Sequence, residues 1–350
     1  MAKFSAMFYF FFVSNNLLMS VYSETLVPCY FIFGDSLVDN GNNNARNTIA
    51  KANYPPYGID YPDGPTGRFT NGRNVADIIA ELLGFNNHIP PFATASGDAI
   101  LNGINYGSGG AGILDNTGKQ FGDLISLSEQ LENHKTTISR INTIIGNPDS
   151  AKQRLSQCIY SVGMGSNDYA AYALTLGPYS PEQFAAILIE QYSRQLRDLY
   201  TSGARKIAIF GVGTVGCVPA AIKGPINGTS CVSSTNDAVQ IFNSKLKSLV
   251  DVLNKDLVGA KFIYIDTYRI TASDPSFNGF NYKNIPCCAV SNMGVCLFEG
   301  VTCNPRTDYL YFDGFHPTEA AVAIVAKRAF RAQSPLDAYP FDIQHLAQAQ

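Results

Sequence analysis

An α/β fold, a parallel sheet covered by helices on both faces, is the class this sequence predicts, and two observations predict it. Five apolar runs each carry Gly, Asp or Asn near the C-terminal end: VPCYFIFGDS (27–36), GINYGSGG (103–110), CIYSVGMGSND (158–168), KIAIFGVG (206–213) and KFIYIDTY (261–268). They are near-continuously apolar, as strands buried on both faces are. Helical patterns separate most of them, and such alternation implies parallel strands joined by crossovers.

Taken in order, residues 1–23 come first: Lys3, an apolar stretch rich in Phe and Leu, then small residues around Val21 and Ser23. Ser14, Asn15 and Asn16 interrupt the stretch, leaving it short of the roughly 20 apolar residues a spanning helix needs, so it reads as a signal peptide and not an anchor. The mature chain is expected to start near Glu24, as a single domain over 24–350. Helices are expected at Asn74–Leu83, Leu124–Ile145, Pro181–Thr201 (closed by Gly203) and Ser234–Leu257, with another opening at Pro317, since proline suits a first helical position. Repeats and low-complexity linkers are absent.

Composition narrows the function. A chain of 350 residues, 46% hydrophobic and 15% charged, has the apolar material for a large core. Net charge −3 without a run of Lys and Arg removes the electrostatic footprint that nucleic acid or an anionic membrane requires. The eight cysteines form an even set, four of them between 287 and 303. Without paired CxxC spacing or a nearby His, they read as disulfides of an oxidising compartment and not as a zinc site, with the pairing left open. Asn227-Gly228-Thr229 is an N-glycosylation acceptor between Cys217 and Cys231.

Ligands of open parallel sheets bind beyond the carboxyl ends of the strands, so the polar residues gathered there carry the chemistry. Ser36 follows the first apolar run on a Gly-Asp-Ser turn; alone, such a serine is more often a cap or turn residue. A nucleophilic serine needs a base, and the chain has four histidines. His134 and His345 read as solvated, and His88 lacks a carboxylate placed to orient it. His316 stands three residues after Asp313, a spacing that lets the carboxylate face Nδ1 while Nε2 takes a serine proton. Oxyanion donors are available at Gly109-Gly110 and at Asn167. Tyr54, Tyr57 and Tyr61 read as surface aromatics on Pro55, Pro56 and Pro62, or as lining a groove.

With these residues in place, the chain resembles the GDSL-type lipases and esterases of the SGNH hydrolase superfamily, and within it their large plant subfamily. The blocks that match in order are FGDS at 33–36, PTGRFTNGR at 65–73, GINYGSGGAGIL at 103–114, the cysteine-rich stretch, and NPRTDYLYFDGFHPTEA at 304–320. The resemblance implies a three-layer α/β/α sandwich with a central parallel sheet of about five strands, flavodoxin-like, and no metal or organic cofactor. It further implies a secreted, monomeric enzyme acting on small-molecule, lipid or polysaccharide esters. Ser36 would be the nucleophile, His316 the base, Asp313 its orienter, and the Ser36 and Gly110 amides with the Asn167 side chain the oxyanion hole. Transfer of the acyl group to an alcohol, or non-catalytic binding of wall or lipid, are the rival functions.

Overall fold

The computed structural model describes residues 25–175, 178–224, 228–273, 277 and 279–349. The expected signal peptide at 1–23 and the expected glycosylation site Asn227 lie outside them. The strands are β1 (Tyr30–Gly34), β2 (Ile159–Gly163), β3 (Lys206–Phe210), β4 (Lys261–Ile265), β5 (Tyr282–Pro286), β6 (Tyr309–Tyr311) and β7 (Ala338–Tyr339). The helices are α1 (Val75–Leu82), α2 (Leu127–Ile145), α3 (Pro148–Gln157), α4 (Ser166–Thr175), α5 (Pro181–Thr201), α6 (Pro219–Ile222), α7 (Ser233–Asp256), α8 (Thr267–Ser273), α9 (Glu319–Phe330) and α10 (Ile343–Gln348).

The five-stranded sheet has the order β1-β2-β3-β4-β7, with β1 to β4 parallel and β7 antiparallel at the edge. β5 and β6 form a separate parallel pair. Strand residues alternate between two cores, as the period of two demands. Phe31, Phe33, Tyr160, Val162, Ile207 and Ile209 pack under α2, α3, α5 and α7. Tyr30, Ile32, Ile159, Ala208, Ile263 and Ile265 pack under α1, α8, α9 and α10. The result is the expected three layers.

The expected strand at 103–110 is instead a bridging segment along the outer edge of β1. Ile32 donates to Ile104 O at 3.0 Å, Tyr106 to Ile32 O at 2.8 Å and Ser108 to Gly34 O at 3.1 Å, but Ile32 and Asn105 form only an isolated bridge. Its glycines explain the failure: Gly103 (φ 115°) and Gly110 (φ 84°) are left-handed and turn the chain at both ends. The fifth strand is the two-residue β7, too short to show a pattern.

Helix starts follow capping chemistry. α2 begins at Leu127, three residues later than expected, because Ser126 and Glu129 form a capping box; Asn74 with Asp77, and Ser180 with Gln183, do the same for α1 and α5. All eight cysteines are paired: Cys29–Cys158, Cys217–Cys231, Cys287–Cys303 and Cys288–Cys296. The last two are nested, folding residues 287–303 into a compact loop. Among the described residues no helix is long and apolar enough to cross a membrane.

Candidate active site

β1 ends where its backbone is needed elsewhere. A Cβ on Gly34 would stand 2.9 Å from Gly163 O and 2.7 Å from Val38 Cγ2, so only glycine fits. Gln130 of α2 grips this residue, accepting from Gly34 N at 3.0 Å and donating to Gly34 O at 2.8 Å. The chain then tightens into a turn in which Asp35 O accepts from Val38 and Asp39 at 3.2 and 3.1 Å, while Asp35 Oδ1 accepts from Leu37 N at 3.0 Å. Ser36 is left half-buried on the outside of that turn.

From the other end of the sequence, β6 delivers Asp313 and His316 to the same place. Asp313 Oδ1 accepts the Phe315 and His316 amides, both at 2.8 Å, folding the three-residue loop back on itself. His316 Nδ1 then lies 2.9 and 2.8 Å from Asp313 Oδ1 and Oδ2, and Nε2 lies 2.8 Å from Ser36 Oγ. With Nδ1 donating to the carboxylate, Nε2 is the basic nitrogen facing the hydroxyl. The Phe69 ring packs on the imidazole at 4.9 Å between centroids, and the histidine is 8% exposed.

Asn167 lies beside the Gly34–Ser36 turn, and Gly110 ends the segment that bonds along β1. Gly109 is committed, donating its amide to Asp39 Oδ2 at 2.9 Å, whereas no group among the described residues accepts from the buried Gly110 amide. Asn167, in the first turn of α4, donates from Nδ2 to Ala111 O at 2.9 Å and makes a long 3.5 Å contact with Asp35 Oδ2. Asp168 beside it fastens the glycine loop, accepting from Ile113 N, Leu114 N and Thr117 Oγ1 at 2.9, 3.1 and 2.7 Å. Asp35, Asp39 and Asp168 are fully buried, and burial pushes each carboxyl up to about 6 against the opposing pull of their hydrogen bonds.

The remaining histidines are elsewhere. His134 is not solvated but completely buried among Phe31, Phe33, Tyr106 and Tyr160, and burial pushes it down to about 3. His88 does have a carboxylate, Glu81 Oε1 at 3.1 Å from Nε2, with Tyr61 OH at 2.6 Å from Nδ1. The His345 side chain is 66% exposed. Tyr57, read as a surface or groove aromatic, is 1% exposed and lies behind the Asp313–His316 loop: its hydroxyl donates to Asp313 Oδ2 at 2.6 Å. Tyr57, the partner of Asp313 that sequence reasoning missed, comes from a distant segment, so no local spacing marks it.

A family model described as GDSL-like Lipase/Acylhydrolase matches residues 30–329. The Arabidopsis thaliana protein GDSL esterase/lipase At1g29670 is 50% identical over 93% of this chain and 93% of its own length. GDSL esterase/lipase At5g45670, from the same plant, is 45% identical over 99% of each chain. With Gly34-Asp35-Ser36 at one end of that match and Asp313 and His316 at the other, meeting at a single point, the chain belongs to the GDSL-like lipase/acylhydrolase family.

Proposed function

We propose that the protein is a secreted serine esterase that hydrolyses carboxylic esters through an acyl-enzyme, with Ser36 as nucleophile. The observation that carries this reading is the unbroken line Asp313 to His316 Nδ1, then His316 Nε2 to Ser36 Oγ at 2.8 Å. Nε2 takes the serine proton as Oγ attacks the ester carbonyl, and buried Asp313 stabilises the imidazolium that results. The negative oxygen of the tetrahedral intermediate is held by the Ser36 and Gly110 amides and the Asn167 side chain. His316 gives its proton to the leaving alcohol; water then repeats the cycle on the acyl-enzyme. Four disulfides and the 1–23 leader support export to an oxidising compartment, as a single domain from about residue 24.

The test is hydrolysis of p-nitrophenyl acetate, butyrate and palmitate by the secreted protein beside its Ser36→Ala and His316→Ala variants. Both substitutions are expected to lower kcat by several orders of magnitude, roughly to the 10³–10⁴-fold residual over water that binding and an oxyanion hole retain. Undiminished turnover by Ser36→Ala rejects the mechanism.

A further inference from the structure

We infer that Tyr57 is a positioning residue for the catalytic carboxylate, holding the Asp313 oxygen that also meets His316 Nδ1; the inference rests on the serine-esterase reading above. The Asp313 carboxylate is wholly buried, so each of its lone pairs needs a protein donor. Oδ1 takes the Phe315 and His316 amides, and the imidazole stands on the inner edge. Oδ2, which lies 2.8 Å from His316 Nδ1, takes its second donor from the Tyr57 hydroxyl at 2.6 Å. That distance is typical of a hydroxyl bonded to an ionised acceptor.

The phenol is itself aimed. Its oxygen accepts the Cys296 amide at 3.1 Å, and a hydroxyl that accepts there directs its one proton to Asp313. Cys296 is fixed by its disulfide to Cys288 and by Tyr54, whose hydroxyl donates to Cys296 O at 2.9 Å. The Tyr57 ring is wedged against Tyr54, Phe69 and Phe312, at 5.3, 6.0 and 5.8 Å between centroids. Burial, with the charge of Asp313 next, holds the phenol well above its ordinary range, so it stays a proton donor throughout the working pH. The other ionisable groups near the dyad are Tyr54 and Asp35, neither of which bonds to Asp313. Tyr57 therefore does two things: it stops the carboxylate turning away from Nδ1, and it draws off part of the negative charge the imidazole sees.

The experiment compares Tyr57→Phe with wild type, Ser36→Ala and Asp313→Asn on p-nitrophenyl butyrate from pH 5 to 9. Wild-type and position-57 variant rates are normalised to sites titrated to completion by an organophosphonate, and those of Ser36→Ala and Asp313→Asn to folded protein measured by circular dichroism, so loss of folded protein does not count as loss of rate. Tyr57→Phe keeps the ring and is expected to lower kcat about 10- to 100-fold, the value of a hydrogen bond to a buried charge, with KM unchanged. It is also expected to move the acid limb of kcat/KM to higher pH, because the carboxylate then keeps its full charge for the imidazolium. A fluorotyrosine at position 57, a stronger donor of nearly the same shape, is expected to move the limb to lower pH and serves alone should the Phe variant not fold. Wild-type kcat and an unmoved limb in these variants, while Ser36→Ala and Asp313→Asn are crippled, overturn the role of Tyr57; full activity in Ser36→Ala overturns the underlying mechanism instead.

Discussion

Single residues carry the division of labour at the site. Asn167 spends one amide hydrogen on Ala111 O and has only a 3.5 Å contact for the other, so it can turn that second donor to an oxyanion. Asn167→Ala is expected to cost about 10²–10³ in kcat with little change in KM, read from steady-state rates on a soluble ester. If KM rises and kcat holds, Asn167 binds ground state and transition state alike and is no oxyanion donor. Asp313 and His316 were legible in the sequence because their partnership is local, three residues apart on one loop. Tyr57 was not, since it reaches Asp313 across 256 residues. His134 misled for the same reason: its own helix is polar at the surface, and the aromatic cage around it is supplied by β1, β2 and the 103–110 segment.

At the level of elements, the turn that carries Ser36 is held by a helix side chain as much as by the sheet. Gln130 closes both backbone groups of Gly34 and also donates to Ile125 O at 3.0 Å, tying the end of β1 to the start of α2. Gln130→Leu leaves the buried Gly34 amide without a partner and is expected to destabilise the protein by about 1–3 kcal/mol in urea unfolding. The same variant is expected to lose kcat, because Ser36 lies two residues beyond the freed amide; unchanged stability would mean that solvent reaches Gly34. The four parallel strands were readable from their apolar runs, since both faces of each are buried. The segment at 103–110 carries the same residue types but is committed to the turn after β1, with Asn105 and Gly109 donating across to Val38 O and Asp39 Oδ2. A periodic reading has no means to separate a strand from a glycine-rich edge that borrows only its first bonds.

For the molecule as a whole, buried ionisable groups set the pH range of stability. Asp35, Asp39 and Asp168, each near 6 in the fold against an ordinary 3.8, hold their protons more tightly folded than unfolded. The stability they provide is therefore full below about pH 4 and lost as pH rises through about 6. His134, near 3 against 6.5, acts in the opposite sense, its contribution full above 6.5 and lost in acid. With three carboxyls against one imidazole, these four groups together favour the fold more at pH 5 than at pH 7. The thermal midpoint is thus expected to climb as pH is lowered from 7 to 5, and Asp39→Asn, which removes one titrating group, to flatten the climb; a midpoint that falls over that range contradicts the assignment. The contact between Ser36 and His316 spans 280 residues and has a consequence in time. During synthesis Ser36 leaves the ribosome long before His316 exists as peptide. On the proposed mechanism a nascent chain is thereby harmless to the esters around it, and hydrolytic capacity arises only when the segment carrying Asp313 and His316 has been made and folded back onto Ser36.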